Sequence, residues 1–470
     1  MNTPRPDEIK RCVIMLTDGA RKDVFEQLLS SGRLPNISRH IVEPGGFITA
    51  SSVFPSTTGP AYTPYLLGSF PGKCNMPGIR WLDKKLWDKT LTFRRLRSYV
   101  SYEATFLNSD LNPYPPTLFE LIPSSVSIFN EMTRGLPFSR DLTSMSTAFH
   151  KIKSHFFEDG YSIDRIAADK FLSCFDGDAR DFPLFCFAVF MEIDSLSHKL
   201  HPFHKKVIDA YLKMDGIVGE IVEKLKQKGV FKNTLLAIVS DHGLTATHTH
   251  FDLSKKLERE GFSILEYPNI FRNFFGADCS VMVSGNSMAH IYLKNASNET
   301  RKNIARRCAS EKQIDLVMSL REDGWIEILS ERGSAVVKAD NDTILYETNG
   351  GDPFGFQRMS GEMTKDAQLE LTFQTDYPDA LVQACQIFES SRTGDIVVSA
   401  KQGFDLRARF EIPEHKASHG SMIKDHISVP IALNAKIAAR PARTVDIYPT
   451  ILEHMGIAVP ENIDGKSLLV

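Results

Sequence analysis

Short apolar runs alternate with amphipathic stretches along the chain. Four of the runs are mostly continuous and predict strands buried on both faces; they cover residues 12–16, 185–191, 234–239 and 395–399. Between them, residues 205–227 carry apolar side chains at three- and four-residue spacing, which predicts an amphipathic helix that ends near Gly229. Strands that alternate with helices indicate an α/β fold with a parallel sheet and helices on both faces.

The pattern changes in two parts of the chain. Residues 73–116 are rich in Trp, Tyr, Arg, Asn and Pro and show weak periodicity, which indicates an insertion that covers the main fold. A smaller α+β subdomain is predicted beyond residue 253. It is indicated by a charged helix at 299–319 and by apolar runs at 279–284, 288–293, 325–329 and 335–338. We therefore predict a main domain from residues 8–252 and 405–470 and an inserted subdomain from residues 253–404.

Composition excludes several classes of protein. The chain has 55 Lys and Arg against 58 Asp and Glu, a net charge of −3, so we expect no binding of nucleic-acid polymers. Its hydrophobic content of 42% is typical of globular proteins. No apolar run approaches the roughly 18–20 residues of a membrane span. Because no signal-peptide segment is seen and the seven cysteines are scattered, we expect a cytoplasmic protein with reduced thiols.

Acidic and imidazole side chains follow the predicted strands. Open α/β sheets bind ligands beyond the carboxyl ends of their strands, so side chains that follow different strands can meet there. The candidates are Asp18, Asp194, His198, Asp241, His242 and His419. Taken singly, each is more often a helix cap or a turn residue than a metal ligand. Their joint occurrence favours a common site.

Three carboxylates and three imidazoles can share one apolar cleft only if positive charge offsets the carboxylates. Two divalent metal ions bring a charge of about +4, which exceeds that of the three Asp side chains and leaves the cleft positive for an anionic substrate. Mixed His and Asp ligation suits Zn²⁺ best, with Mn²⁺ or Fe²⁺ as alternatives. Asp194 and His198 are four residues apart, so a helical turn would direct both at one ion.

The motifs together resemble the alkaline phosphatase superfamily and, within it, the type I phosphodiesterase / nucleotide pyrophosphatase family. In chain order they are Thr-Asp-Gly-Ala-Arg at 17–21, Phe-Pro-Ser-Thr-Thr-Gly-Pro at 54–60, Gly-Ser-Phe-Pro-Gly at 68–72, Asp-x-x-x-His at 194–198, Ser-Asp-His-Gly at 240–243, His-Gly at 419–420 and the tail at 443–452 and 463–468. The resemblance spans nearly the whole chain. It implies an alkaline phosphatase-like three-layer α/β/α fold with a mostly parallel central sheet, in which the main domain is catalytic.

The resemblance also implies a role for each site residue. One metal, which activates the nucleophile, would be held by Asp18, Asp241 and His242, and the other by Asp194, His198 and His419. Thr58, ten residues before Gly68 and two before Pro60, matches the nucleophile of the family and would be a further metal ligand, with Thr57 as the alternative. A helix start at Pro60 favours this place, because free amides at a helix N-terminus bind phosphate oxygens.

Contacts to the substrate are less clearly marked. The family has an Asn beyond the nucleophile that binds a phosphate oxygen, and Asn75 or Arg80 is the candidate for that place. Aromatic and basic residues of the insertion either clamp a leaving group or pack the insertion onto the domain; they are Arg80, Trp81, Trp87, Phe93, Arg94 and Arg95. His426 has a structural or surface role, contacts substrate, or is a rival for the role of His419.

The combined features predict a metal-dependent hydrolase that cleaves phosphodiester or pyrophosphate bonds of a small phosphate ester through a phospho-threonine intermediate. Phosphomonoester hydrolysis, phosphonate hydrolysis and phosphoryl transfer to an alcohol are alternatives in the same superfamily. A metal-stabilised binding module without turnover is a further alternative. A nucleotide-binding protein of Rossmann type is disfavoured, because no Gly-x-Gly-x-x-Gly follows the first strand. The sequence indicates no oligomeric state.

Overall fold

The computed structural model describes residues 9–87, 95–100, 102–144, 161–267, 276–295, 297–357, 359–407 and 414–470. Its strands are β1 (Arg11–Thr17), β2 (Gly46–Ser51), β3 (Arg80–Leu82), β4 (Leu96–Ser98), β5 (Ser125–Ile128), β6 (Phe185–Phe190), β7 (Thr234–Val239), β8 (Thr245–Ala246), β9 (Thr249–His250), β10 (Ile264–Glu266), β11 (Cys279–Ser284), β12 (Met288–Leu293), β13 (Ile314–Leu320), β14 (Ile326–Ser330), β15 (Gly333–Asp340), β16 (Thr343–Asn349), β17 (Gly361–Thr364), β18 (Ile396–Ala400), β19 (Phe404–Asp405), β20 (Ala417–Ser418), β21 (Ser428–Leu433) and β22 (Ala442–Arg443). Its α-helices are α1 (Lys22–Ser30), α2 (Pro35–Ile37), α3 (Thr63–Leu67), α4 (Leu107–Asp110), α5 (Leu118–Leu121), α6 (Tyr161–Ser173), α7 (Glu192–Leu200), α8 (Lys205–Gln227), α9 (Leu253–Arg259), α10 (Asn298–Ala309), α11 (Lys365–Thr372), α12 (Ala380–Ile387), α13 (Lys424–Ile427) and α14 (Ile447–Met455).

The central sheet has seven strands among the described residues, in the order β22-β2-β21-β7-β1-β6-β5. β1 lies between β6 and β7 and is parallel to both, as the apolar runs at 12–16, 185–191 and 234–239 predict. All residues of these three strands are buried. β21 runs antiparallel to β2 and β7, whereas the other neighbouring pairs are parallel. The predicted α/β fold with a mostly parallel central sheet is confirmed.

Helix α8 lies where the sequence predicts it. It is followed by Gly229 in a left-handed conformation, with φ +72°. Its buried side chains include every apolar position of the predicted stripe, Val207, Tyr211, Met214, Val218, Ile221, Val222 and Leu225. The stripe joins the core of the central sheet, so the opposite face carries the charged side chains. No described helix, α8 included, is both long and apolar enough to cross a bilayer.

A second sheet of nine described strands has the order β10-β11-β12-β18-β13-β14-β15-β16-β17. Two predictions are corrected here. The run at 395–399 forms β18 of this sheet, antiparallel to β12 and β13, and takes no part in the parallel sheet. The helix expected at 299–319 ends at Ala309, because polar residues follow it and the next apolar residues pair as β13. The domain limits at 253 and 404 stay a prediction.

The insertion at 73–116 packs onto the second sheet. Its strands β3 and β4 pair with each other, and β3 contacts β11. Trp81 is buried, and the guanidinium groups of Arg392 and Arg97 lie 4.2 and 5.6 Å from the centroid of its ring. Trp87 and Arg95 are also buried. These residues therefore pack the insertion in place; Phe93 and Arg94 lie outside the described residues.

Candidate active site

The carboxyl ends of β1, β6 and β7 form one edge of the central sheet, and the predicted site residues gather there. The strands end in register, since Thr17 of β1 is paired with Phe190 of β6, and Leu16 with Val239 of β7. The side chains just beyond these ends are Asp18, Asp194 and His198 in α7, and Asp241 with His242. His419 comes from outside this sheet, directly after β20.

The six predicted ligands approach one another in two overlapping groups. Ligand atoms of Asp194, His198 and His419 lie within 4.8 Å of one another, and so do those of Asp18, Asp194 and His242. Asp241 adjoins the second group, with Oδ2 at 3.4 Å from His242 Nε2. Asp194 thus takes part in both groups, whereas the sequence predicts it beside one metal only.

The hydroxyl of Thr58 faces the group that contains Asp18. Thr58 Oγ1 lies 3.4 Å from Asp18 Oδ1 and 3.4 Å from His242 Nε2. Gly59 follows with φ +91°, a conformation that glycine adopts without strain, and leads into a short 3-10 turn that precedes α3. Thr57 is fully buried, and its hydroxyl has no hydrogen-bond partner among the described residues. The geometry favours Thr58 over Thr57 as the nucleophile.

Backbone carbonyls fix the orientation of the three predicted histidine ligands. In each ring Nδ1 donates to a carbonyl oxygen, namely His198 to Ala417 at 2.8 Å, His419 to Ser56 at 2.9 Å and His242 to Gly243 at 3.2 Å. A carbonyl only accepts hydrogen bonds, so the proton sits on Nδ1 and Nε2 keeps a lone pair. Nε2 lies 3.3 Å from Asp194 in His198 and 3.5 Å from Asp18 in His242. Histidine ligands of metals are oriented in the same way.

The negative charge of the carboxylates in the cleft is only partly balanced by other groups among the described residues. Asp194 Oδ1 and Asp241 Oδ2 are buried without a hydrogen-bond partner in the described part of the chain. Burial raises the pKa of Asp241 and lowers the pKa of His419. Burial also acts to raise the pKa of Asp194, but the positive charge that the His198 ring carries when protonated holds it below its usual range, and a metal ion between the two side chains would act in the same direction. Buried carboxylate oxygens beside imidazole lone pairs are the donors that divalent metals bind, so these residues fit the predicted ions.

The two predicted substrate contacts have partners in the second sheet and its neighbouring segments. Asn75 Oδ1 accepts a hydrogen bond from Ser390 Oγ at 2.8 Å. Arg80 donates to Val283 O at 2.9 Å, and its guanidinium lies 5.8 Å from the ring of Tyr267. A contact of Asn75 or Arg80 with substrate stays a prediction.

His426, the sequence-based rival of His419, has partners of its own. Its Nε2 lies 2.8 Å from Thr245 Oγ1 and its Nδ1 lies 2.7 Å from Ser421 Oγ. Burial lowers the pKa of His426, which keeps the ring neutral. Because both nitrogens are engaged by hydroxyl groups, the geometry favours His419 as the metal ligand.

One histidine at the site is missing from the sequence prediction. The ring centroid of His415 is 4.3 Å from that of His198. The row of rings continues from His198 to His419 at 5.2 Å and from His419 to His242 at 3.8 Å. The signal in the sequence is a second His four residues before His419. The spacing alone does not reveal the contact with His198, which lies far away along the chain.

Comparison with known protein families identifies the family of this chain. The family model of type I phosphodiesterase / nucleotide pyrophosphatase matches residues 12–422. This chain belongs to that family.

Curated relatives match only in short segments. An uncharacterised pyrophosphatase/phosphodiesterase of Schizosaccharomyces pombe is 27% identical over 94 residues, which is 19% of each chain. The bis(5′-adenosyl)-triphosphatase of Pongo abelii is 40% identical over 55 residues, which is 12% of each chain. The matched part thus spans less than a fifth of either relative.

A solved structure matches over nearly the whole chain. Phosphonoacetate hydrolase from Sinorhizobium meliloti 1021, determined in complex with phosphonoformate, superposes with a TM-score of 0.57 at 14% sequence identity. The match covers 95% of this chain and 96% of the hydrolase. It shows that the chain has the alkaline phosphatase-like fold.

Proposed function

We propose that the protein is a metal-dependent hydrolase that cleaves phosphodiester or pyrophosphate bonds of small phosphate esters. The observation that carries the proposal is the approach of Thr58 Oγ1 to within 3.4 Å of both Asp18 Oδ1 and His242 Nε2, beside two groups of metal-ligating side chains. Membership of the family supports this reaction class. The two curated relatives are named for pyrophosphate or phosphodiester cleavage and for cleavage of a bis-adenosyl triphosphate.

Two divalent ions complete the site in this proposal. One is held by Asp18, Asp241, His242 and the hydroxyl of Thr58, and the other by Asp194, His198 and His419. The mixture of imidazole and carboxylate favours Zn²⁺ over Mn²⁺ or Fe²⁺. When bound, such ions supply positive charge that lowers the pKa of a hydroxyl and stabilises anionic oxygens. The buried oxygens of Asp194 and Asp241 without hydrogen-bond partners among the described residues support the assignment.

Thr58 is the nucleophile of the proposed reaction. Asp18 Oδ1 accepts the hydrogen bond of its hydroxyl at 3.4 Å before the attack. The hydroxyl loses its proton to solvent, Oγ1 forms a bond to phosphorus in line with the leaving oxygen, and the bond from phosphorus to that oxygen breaks. The released oxygen takes a proton from solvent. Water attacks the phospho-threonine in a second displacement, which releases the phosphorylated product and restores the hydroxyl.

Thr58→Ala should abolish turnover because the attacking oxygen is lost, and the metal content should be retained because Asp18, Asp241 and His242 remain as ligands. Thr57→Ala is the matched control and should stay active. Acid quenching followed by mass spectrometry should detect phospho-threonine in the wild type and none in Thr58→Ala. Wild-type rates in Thr58→Ala, or an inactive but folded Thr57→Ala, would move the role to Thr57 or refute the scheme.

The class of substrate can be determined by assaying a panel of esters with Zn²⁺ or Mn²⁺. We expect bis(p-nitrophenyl) phosphate and thymidine-5′ p-nitrophenyl phosphate to be cleaved faster than p-nitrophenyl phosphate, the monoester. Phosphonoacetate tests the activity for which the structural neighbour is named, and an added alcohol tests phosphoryl transfer. Failure of every substrate with full metal content would instead support a binding module without turnover.

The domain division and the location of the protein are also proposals. We infer that residues 8–252 and 405–470, with the insertion at 73–116, carry the chemistry, and that residues 253–404 form the inserted subdomain. A cytoplasmic location is inferred from the sequence alone. The near-neutral net charge of −3 supports small-molecule substrates over nucleic-acid polymers.

A further inference from the structure

Two proposed ligands of different metal ions stack on each other. The rings of His242 and His419 have centroids 3.8 Å apart and planes 10° apart. His242 belongs to the ligand group with Asp18, and His419 belongs to the group with His198. The two rings come from segments far apart along the chain, after β7 and after β20. Their spacing therefore depends on how these two segments are held together.

The buried side chain of His426 connects the two segments. Its Nδ1 accepts a hydrogen bond from the backbone N–H of Ser421 at 3.3 Å and lies 2.7 Å from Ser421 Oγ. Its Nε2 lies 2.8 Å from Thr245 Oγ1. Ser421 is two residues beyond His419, and Thr245 is three residues beyond His242. One imidazole ring thus contacts both ligand-bearing segments.

The hydrogen bonds of His426 run in a defined direction. A backbone N–H only donates, so Nδ1 is the acceptor and the proton of the neutral ring is on Nε2. Nε2–H then donates to Thr245 Oγ1. Because the imidazole ring is rigid, the acceptor for Ser421 and the donor for Thr245 are held at a fixed distance and angle. A flexible side chain would not fix the two segments in this way.

Backbone contacts bring the same segments together around the ring. Gly243 N donates to His426 O at 2.9 Å. A Cβ atom at Gly243 would lie 2.1 Å from Asp425 O, so only glycine permits this close approach. Arg21 donates to Leu244 O, and its Nη2 lies 3.2 Å from Asp425 Oδ2. The segment after β7 is therefore packed directly against the residues that carry the His426 ring.

The segment of the proposed nucleophile is bonded to the same place. Ser56 Oγ donates to Ser421 O at 2.8 Å and accepts from Gly420 N at 3.1 Å. Ser56 O accepts from His419 Nδ1 at 2.9 Å. Ser56 is two residues before Thr58. A shift of Ser421 would therefore move a proposed metal ligand and the segment that carries the nucleophile.

We propose that His426 is a positioning residue that holds the ligands of the two proposed metal ions at their working separation, by hydrogen bonds from both ring nitrogens. The inference rests on the proposed function. It assigns His426 an effect on both ions at once, exerted through Thr245 on the segment of His242 and through Ser421 on the segment of His419. Residues that orient metal ligands in this manner typically contribute about 10–100-fold to metal affinity or activity.

The test uses electron paramagnetic resonance of the protein loaded with Mn²⁺, because two neighbouring Mn²⁺ ions are magnetically coupled and isolated ions are not. His426→Phe keeps a buried ring and removes both hydrogen bonds. We expect this variant to lose the coupled signal and to bind the second Mn²⁺ about 10–100-fold more weakly. With thymidine-5′ p-nitrophenyl phosphate, kcat should fall about 10–100-fold and KM should change less than about threefold.

Three further variants separate positioning from general stability. His426→Asn keeps an acceptor for the Ser421 N–H, and Thr245→Val removes only the acceptor of Nε2–H, so each should show part of the loss. They also carry the test if His426→Phe does not fold. Thr450→Val is the matched control, since Thr450 Oγ1 is a buried hydroxyl that donates to Asp446 O and accepts from Leu468 N. It should lower Tm and leave the coupled signal and kcat unchanged.

Three results would contradict the proposal or its basis. A wild-type coupled signal and kcat in the folded His426 and Thr245 variants would overturn it. A lower Tm with unchanged metal affinity, as in Thr450→Val, would show that His426 supports only the fold. Both results leave the proposed function intact. If the wild type binds fewer than two Mn²⁺ ions or cleaves no ester, the proposed function fails and this inference fails with it.

Discussion

Hydrogen-bond partners decide what each histidine of this protein can do. In His198, His419 and His242 a backbone carbonyl holds the proton on Nδ1 and leaves Nε2 with a lone pair. In His415 an amide of Asn286 holds the proton on Nε2 instead. The same side chain can thus serve as a metal ligand or as a donor, and one neighbouring atom makes the difference.

His290 of β12 is a buried histidine with a structural role. Its Nε2 donates to Pro77 O at 3.0 Å, and its Nδ1 accepts from Gly394 N at 3.3 Å. Protonation of Nδ1 would break this second hydrogen bond, because the added N–H would face the N–H of Gly394. Burial lowers the pKa of His290 from 6.5 to about 4. The folded protein therefore holds this ring neutral well into the acid range.

This residue should make the protein sensitive to acid. Between pH 6.5 and about 4 the unfolded chain binds a proton that the folded protein does not, so the stability present above pH 6.5 is lost as the pH falls. By pH 4 the loss in the free energy of unfolding should be about 3 kcal/mol. His290→Gln cannot titrate and should lack this part of the pH dependence in urea unfolding. Parallel pH profiles of the two proteins would refute the prediction.

At the scale of elements, helix α7 carries two proposed ligands and is fixed from outside. Asp164 in α6 accepts hydrogen bonds from Met191 N at 2.8 Å and from Glu192 N at 3.3 Å. Amides at a helix start have no partner within the helix, so these bonds satisfy them. Burial, with Glu192 nearby, raises the pKa of Asp164. Asp164 thereby positions the helix that presents Asp194 and His198.

Loss of this support should affect both stability and metal binding. Asp164→Ala leaves two buried amides without their acceptor and should lower the free energy of unfolding by about 1–3 kcal/mol. It should also weaken metal binding in competition with a chromogenic chelator. Asp164→Asn keeps an acceptor oxygen and resembles the neutral acid that burial favours, so it should remain close to the wild type. An Asn variant as impaired as the Ala variant would argue for a need for negative charge.

At the scale of the whole molecule, two sheets and an insertion meet around the site. The central sheet supplies the carboxylates at the ends of β1, β6 and β7, and the turn of the second sheet is bonded to His419. Arg392, just before β18, joins the insertion to this assembly by donating to Asn75 O at 2.8 Å and to Asp110 O at 2.6 Å. Changes at the site should therefore alter the free energy of unfolding of the whole protein.

Removal of divalent metal should lower the melting temperature of the protein. Asp18, Asp194 and Asp241 are mutually repelling carboxylates in one largely buried cleft, and bound ions offset that repulsion. Dialysis against EDTA should lower Tm by roughly 5–10 °C, and Zn²⁺ or Mn²⁺ should restore it. Thr58→Ala, which keeps the six other proposed ligands, should show a similar shift in scanning fluorimetry. An unchanged Tm after verified metal removal would count against the ligand set.

The sequence by itself determined the elements whose signals are local. Continuous apolar runs gave β1, β6 and β7, and the three- and four-residue spacing of apolar side chains gave α8. Motif spacing also marked six side chains that lie close together beside the sheet edge, and the family to which the chain belongs. The periodic signals suffice to predict single strands and helices, because each periodicity reflects which positions of one segment are buried.

Only the tertiary structure decided how distant segments combine. The run at 395–399 could have joined either sheet, and its partners β12 and β13 put it in the second. Asp194 takes part in both ligand groups, and the amide of Asn286, between β11 and β12, donates a hydrogen bond to His415. Hydrogen bonds and shared charges between segments far apart along the chain depend on how the sheets pack. Local periodicity carries no record of that packing.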